Sequence, residues 1–155
     1  MNVAVIKIKM KIELHDLEEP GKCELHWCHD SESNRHISVS VVANSDIDVS
    51  CPIQHNDKTF VELTLGICRF LRDCIALLPS DRVYIPENVS VVDTYGIFSM
   101  ACTRVRKNSV ILTIKLGPNV DALWGVTLYL DVAHETLQEQ LIKLGQYIES
   151  EKFDG

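Results

Sequence analysis

Asp57–Leu78, DKTFVELTLGICRFLRDCIALL, is the stretch whose reading decides the fold. Phe60, Leu63, Ile67, Leu71, Cys74 and Leu78 recur at steps of three and four, the spacing that puts side chains on one face of an α-helix. Val61, Leu65, Cys68, Phe70, Ile75 and Leu77 widen that face on both sides, while Glu62, Gly66, Arg69 and Asp73 leave only a narrow polar stripe. A helix apolar around most of its circumference has to be covered, so the pattern predicts a central helix lying against a sheet. Thr59 and Glu62 are spaced as a capping box at its start and Pro79 closes it. Gly66 costs up to about 1 kcal/mol relative to alanine in mid-helix. Close packing against another backbone is the expected reason for it.

Strand patterns flank this helix. From Ile6 to Leu14 apolar and charged residues alternate, with Ile6, Ile8, Met10, Ile12 and Leu14 on one face and Lys7, Lys9, Lys11 and Glu13 on the other. Pro20-Gly21 marks a turn, after which Cys23, Leu25 and Trp27 alternate with Glu24, His26 and Cys28. Pairing Leu14 with Cys23, Ile12 with Leu25 and Met10 with Trp27 keeps the apolar side chains together in an antiparallel hairpin. Ile37, Val39 and Val41 mark a third strand, and Ile47–Ile53 a fourth at the sheet's edge, where Pro52 is tolerated.

Beyond the helix and a link containing Val83–Pro86, a second meander is expected over Val89–Asp93, Ile97–Arg106, Val110–Leu116 and Trp124–Val132. At Lys107-Asn108 two registers compete. A two-residue turn sets Arg104 opposite Ile111, whereas a three-residue loop sets Cys102 opposite Leu112, Met100 opposite Ile114 and Phe98 opposite Leu116. The second builds a continuous apolar face and is preferred, with Asn108 left-handed. An amphipathic helix over His134–Glu151 ends the chain, with Leu137, Leu141, Leu144 and Ile148 as its buried face. The expected architecture is one α+β domain over residues 1–155, with antiparallel sheets from two strand meanders packed on the two helices.

At 155 residues, such a chain buries about two thirds of its unfolded surface in one core. Lys and Arg total 15 against 22 Asp and Glu, a net charge of -7, which argues against nucleic-acid binding; it suits a basic protein partner, although many solvated proteins are simply acidic and that plainer reading is favoured. MNVAVIKIKMKIEL interleaves lysines with apolar residues where a signal peptide needs an unbroken apolar core, and no run of about 18 apolar residues spans a bilayer. A cytoplasmic protein is expected. The six cysteines are read as reduced thiols, since Cys68, Cys74 and Cys102 fall at apolar positions of a helix and a strand.

CELHWCHD, Cys23–Asp30, is the densest polar chemistry. In a strand His26 and Cys28 share a face, and His29, with His15 or His36, would complete a metal site. Cys23 points the other way and the spacing fits no zinc motif, so partly exposed histidines beside a core tryptophan are the favoured reading and no cofactor is expected. No cysteine or serine stands in a nucleophile-turn motif, and no phosphate-cradling glycine loop occurs. Asp46 and Asp48 share one side of a short strand but read as solvated carboxylates at an edge rather than an acid–base pair. The row Lys7, Lys9 and Lys11 reads as a solubilising face.

The order of a strand meander, an apolar helix, a second meander and an amphipathic helix resembles the wall-associated-protein immunity family of bacteria. The resemblance rests on Phe60, Leu63, Leu71 and Leu78, on the strand start at Gly96-Ile97, and on Leu128, Leu130, Asp131, Leu137 and Leu141, where an apolar strand runs into a leucine-spaced helix. It implies a small cytoplasmic protein that neutralises a cognate toxin domain and has no catalytic residues. The acidic segments containing Asp16, Glu18 and Glu19, Asp30 and Glu32, and Asp46 and Asp48 are the expected partner contacts. A small metal-dependent or cysteine-using enzyme built around Cys23–Asp30, or a structural subunit of a larger assembly, are the competing classes.

Overall fold

A computed structural model describes residues 5–30, 34–44, 47–53, 57–77, 89–117 and 125–153, with backbone alone for 44 and 47–53. Strands β1 (Lys7–His15), β2 (Lys22–His29), β3 (Arg35–Asn44) and β4 (Ile47–Ile53) form one antiparallel sheet in chain order. Helix α1 (Asp57–Ala76) leads to a second antiparallel sheet of β5 (Ser90–Val92), β6 (Phe98–Val105), β7 (Ser109–Leu116) and β8 (Val126–Ala133), and α2 (His134–Glu151) follows directly. The fold is α+β. Helix α1 packs against α2, β3 and β5, while α2 packs against β1 and β8, so each helix bridges the two sheets. Buried side chains from both sheets and both helices join in one apolar cluster.

The first hairpin has the register its alternation requires: Leu14 faces Cys23, Ile12 faces Leu25 and Met10 faces Trp27. Above Met10 the register shifts, and Ile8 faces Cys28 while Lys7 faces His29. One extra residue in β1 inverts the faces from there on. Ile6 and Ile8, expected on the buried face, are therefore 60% and 58% exposed, and Lys7, itself exposed, pairs with His29. The apolar alternation of Ile6–Leu14 is unbroken, so it carries no mark of the bulge.

The second meander resolves the competition at Lys107-Asn108 by using both registers. Phe98, Met100 and Cys102 face Leu116, Ile114 and Leu112, then a shift sets Arg104 opposite Ile111 and Val105 opposite Val110. Arg106 N–H donates to Ser109 O at 2.8 Å across the two-residue turn. The expected three-residue loop does not form, and Asn108 is not left-handed; among the described residues Lys152 is the non-glycine with positive φ. A bulge at Thr103 absorbs the extra residue instead, which keeps the apolar face continuous without strain at the turn.

Helix α1 begins at Asp57, so Thr59 lies within its first turn, is buried, and is not the N-cap of a capping box. The helix ends at Ala76, with Leu77 in a turn whose N–H donates to Cys74 O at 3.2 Å, while Leu78, Pro79, the link through Val83–Pro86 and Trp124 lie outside the described residues. A Cβ on Gly66 would stand 3.3 Å from Val91 Cγ2, so the glycine does permit close packing, against a β5 side chain rather than a backbone. The buried face of α2 is Thr136, Leu137, Gln140, Leu144 and Tyr147, with Leu141 and Ile148 at its margin, a stripe rotated from the leucine pattern. The reason is the edge of β1: Glu13 N–H donates to Gln140 Oε1 at 3.0 Å, which satisfies a backbone donor that the sheet leaves unpaired.

In the core, Trp27 Nε1 donates to Thr64 Oγ1 at 2.9 Å, and the Thr64 hydroxyl donates to Phe60 O at 2.7 Å. Asp93, 3% exposed, accepts from Phe98 N at 2.7 Å and Tyr95 N at 3.1 Å, fixing a turn in which Gly96 has φ 70°. No described helix is long and apolar enough to cross a membrane.

Candidate functional site

The acidic contacts expected from the sequence divide between the two ends of the first sheet. Asp16, Glu18 and Glu19 occupy the β1–β2 turn, and Asp30 the β2–β3 turn, separated by the eight residues of β2, about 25 Å at a strand's rise. The β3–β4 turn returns to the first of these ends. Asp48 pairs with Val42, which pairs with Lys22, and a Cβ on Gly21 would stand 3.7 Å from Ala43 O. Glu18, Glu19 and the backbone of Asp48 thus share one end, while Asp30 stands at the other. Glu32 and Asp46 lie outside the described residues, as does the Asp48 side chain.

The β1–β2 turn is tightly organised. Asp16 Oδ2 accepts from Glu18 N at 3.0 Å and Glu19 N at 2.8 Å, its Oδ1 accepts from Asp131 N at 2.7 Å, and Asp16 N–H donates to Gly21 O at 2.9 Å. Burial works against ionisation of Asp16. The three N–H donors and the Arg106 charge outweigh it and hold the carboxyl below its ordinary range. Leu17 N–H donates to Asp131 O at 2.9 Å, and Arg106 Nη1 meets Asp131 Oδ2 at 3.2 Å, so the turn is bolted to β8 of the other sheet. Asp16 is therefore spent on architecture, and the exposed Glu18 and Glu19 are its product. Asp30 plays a similar part, accepting from Asn34 N at 2.9 Å and Asn34 Nδ2 at 3.2 Å across its loop.

At the Asp30 end lies a groove of about 510 Å³ lined by Lys7, Lys9, His29, Asp30, Arg35 and Glu151, with Val5. The β1 bulge puts Lys7 into it, which a solubilising row of lysines on the outer face did not anticipate. Below it is an aromatic cluster that the sequence pattern also did not single out. The Arg35 guanidinium stands 4.8 Å from the Phe60 ring centre and 5.2 Å from that of Phe153, and Arg35 Nη2 meets Asp57 Oδ1 at 3.3 Å. His29 Nε2 is 3.1 Å from the Tyr147 hydroxyl. Burial, with Lys9, Arg35 and His36 nearby, keeps His29 below its ordinary pKa against the pull of Glu151. Burial and Glu151 push the Tyr147 hydroxyl up.

The candidate ligands His26, Cys28 and His29 do not converge. His26 lies on the outer face, 2.9 Å from Glu24 Oε2, in a field of charges where Lys22 Nζ also meets Glu24 at 3.0 Å. Cys28 is buried with its thiol turned to His26 O at 3.7 Å, and His29 faces the aromatic cluster on the opposite side of the strand. His36 pairs with Cys28, but His15 pairs with Lys22 at the far end of the hairpin. Among the described residues no group of three His, Cys, Asp or Glu is placed to hold a metal ion.

No family model and no curated protein sequence matches this chain. Among solved structures, one similar chain comes from work on SsgB, in which mutations correlate to longitudinal cell division during sporulation of Streptomyces coelicolor. It is 12% identical, the alignment covers 96% of this chain and 92% of that one, and the TM-score is 0.40. A likeness at that geometric level carries no argument about what this chain does.

Proposed function

We propose that this protein is an immunity protein, a stoichiometric inhibitor that binds and neutralises a cognate bacterial toxin domain, most simply a basic one, in the cytoplasm. The observation that supports this reading is the acidic β1–β2 turn. Asp16 takes three backbone N–H groups on its carboxylate, and two of them fix the backbone that presents the exposed Glu18 and Glu19. A preformed acidic projection on a chain of net charge -7 needs little ordering when it binds, and it steers a basic partner toward itself. Glu18 and Glu19 are the centre of the contact surface, with the strand backbone at Asp48 at the same end of the sheet and Asp30 at the other. No metal, nucleic acid or membrane enters this account.

Where the reading frame directly upstream encodes a large secreted protein, the test uses that protein's C-terminal domain as the candidate toxin. Glu18→Lys with Glu19→Lys is expected to slow association with that purified domain roughly tenfold or more at low salt, with the difference shrinking as salt rises. Unchanged association would remove this turn from the interface. An upstream frame belonging to metabolism would remove the reading itself.

A further inference from the structure

Each sheet has one face on the core, and the two outer faces differ in kind. On the first, Lys11, Glu13, Lys22, Glu24 and His26 form a web of contacts at 2.9–3.9 Å, the chemistry of a face turned to water. On the second, alternate residues of β6, β7 and β8 are buried in the core, which turns Ser99 and Ala101, Ile111 and Thr113, and Thr127 and Tyr129 outward. Tyr129 is 66% exposed, and Val92 on the neighbouring β5 is 63% exposed. Among the described residues the charges on this face stand at its ends, Arg104 and Asp131 at one and Lys115 at the other, with Arg106 reaching Asp131 from the turn. The hydroxyls of its centre are engaged within the sheet: Thr103 Oγ1 donates to Ile111 O at 3.2 Å and lies 3.1 Å from Thr113 Oγ1. An uncharged centre that holds a tyrosine and already satisfies its hydroxyls loses little when water leaves it. We propose that this outer face is the contact surface of a homodimer, in which a second copy of the chain stacks on it face to face.

The face is its own complement under one symmetry operation. Its cross-strand rows follow from the register: Arg104, Ile111 and Asp131 make one, Ala101, Thr113 and Tyr129 the next, and Ser99, Lys115 and Thr127 the third. A two-fold axis running along β7, between the stacked sheets, exchanges β6 with β8 and keeps each row. Tyr129 of each copy then stands over Ala101 of the other, the bulkiest side chain of the row over the smallest, and Ile111 meets Ile111. Arg104, which is exposed, stands over Asp131 of the other copy. The contact thus sets opposite charges against each other twice. Lys115 meets Lys115 at the far rim, in water, where salt screens the repulsion. Sheets stacked this way lie about 10 Å apart, a gap that an arginine side chain crosses. Three strands of this length offer a footprint of about 14 Å by about 26 Å, on the order of 400 Å² per copy, which places the dimer among the weak, reversible ones.

The experiment is sedimentation equilibrium of the purified full chain over concentrations from about 1 μM to about 1 mM, a range that brackets a weak interface. A reversible monomer–dimer equilibrium is expected, with a dissociation constant of roughly 10–100 μM. Tyr129→Glu puts a charge in the centre of the contact and should weaken the dimer roughly tenfold or more. Arg104→Glu sets like charges against each other at Asp131 and should weaken it roughly fivefold or more, with the difference shrinking as salt rises. Ile142→Glu, at a 61% exposed position of α2, should leave it unchanged. A monomer at every concentration, a dimer indifferent to Tyr129→Glu or to Arg104→Glu, or one weakened as much by Ile142→Glu would overturn the proposal. Tyr129 and Arg104 are both exposed, so both variants are expected to fold, which far-ultraviolet circular dichroism checks; should one not fold, the other decides. No toxin domain enters these measurements, so their outcome is independent of the immunity reading.

Discussion

Replacing Thr64 with valine removes one oxygen from the middle of the core and little else. Trp27 and Thr64 are both fully buried, and the indole N–H has the Thr64 hydroxyl as its acceptor at 2.9 Å. Valine keeps the branched shape, so the packing volume is preserved and the indole donor is left without a partner. That desolvated donor costs about 1–3 kcal/mol. The second bond, from the hydroxyl to Phe60 O, adds little because that carbonyl is already inside α1 and served by the helix ladder. At this chain length the loss corresponds to a fall in unfolding midpoint of about 2–10 °C. The informative assay is a double-mutant cycle with Trp27→Phe, read by circular dichroism in urea. In the phenylalanine background the donor is gone, and Thr64→Val should then cost less than about 0.5 kcal/mol. If valine costs the same in both backgrounds, the penalty comes from Thr64's own packing, and the reasoning from the buried bond is wrong.

Other perturbations probe the junctions. Asp16→Asn should destabilise the protein at neutral pH. Because the folded carboxyl titrates below its ordinary value of 3.8, its contribution is present above that pH and is lost as pH falls through the folded value, so the stability curves of wild type and variant should converge in acid. His29 has the opposite consequence. Its pKa in the folded protein lies below the ordinary 6.5, so the unfolded chain binds the extra proton first, and stability should fall as pH drops below about 6.5, less steeply in His29→Phe. Phe153→Ala, which removes edge contacts with Phe60 and Tyr147 and one face of the Arg35 sandwich, should cost about 1–2 kcal/mol in a urea melt. Gly66→Ala should fall short of the roughly 1 kcal/mol that helix propensity offers, because the new methyl meets Val91 at 3.3 Å. Combining it with Val91→Ala should be less damaging than the sum of the two single changes.

Where one periodicity governed an element, the sequence was readable. The apolar circumference of α1, the Met10–Leu14 pairing with Cys23–Trp27, and the Phe98–Cys102 register follow from the need to keep apolar side chains on one face. What failed did so where a single residue changes phase. The bulge between Ile8 and Met10 turns two isoleucines outward and brings a lysine to the His29 face, yet the alternation around it is perfect, so only the pairing geometry reveals it. At Lys107-Asn108 the apolar pattern makes two registers compete, and the chain satisfies both by bulging at Thr103. The burial of Gln140 and Tyr147 was hidden because an edge N–H and a histidine on other elements recruit them. The acidic residues show the same limit. Asp16 and Asp30 resemble Glu18 in sequence, and only the backbone donors around them show that both serve their turns.

The central proposal, that the acidic β1–β2 turn binds a toxin domain, is tested most directly by titrating the purified chain with the C-terminal domain of a large secreted protein encoded directly upstream. Heat release should saturate at one chain per toxin domain, with affinity falling at least tenfold in the Glu18→Lys, Glu19→Lys variant. No binding by the wild-type chain, or equal binding by wild type and variant, would contradict it.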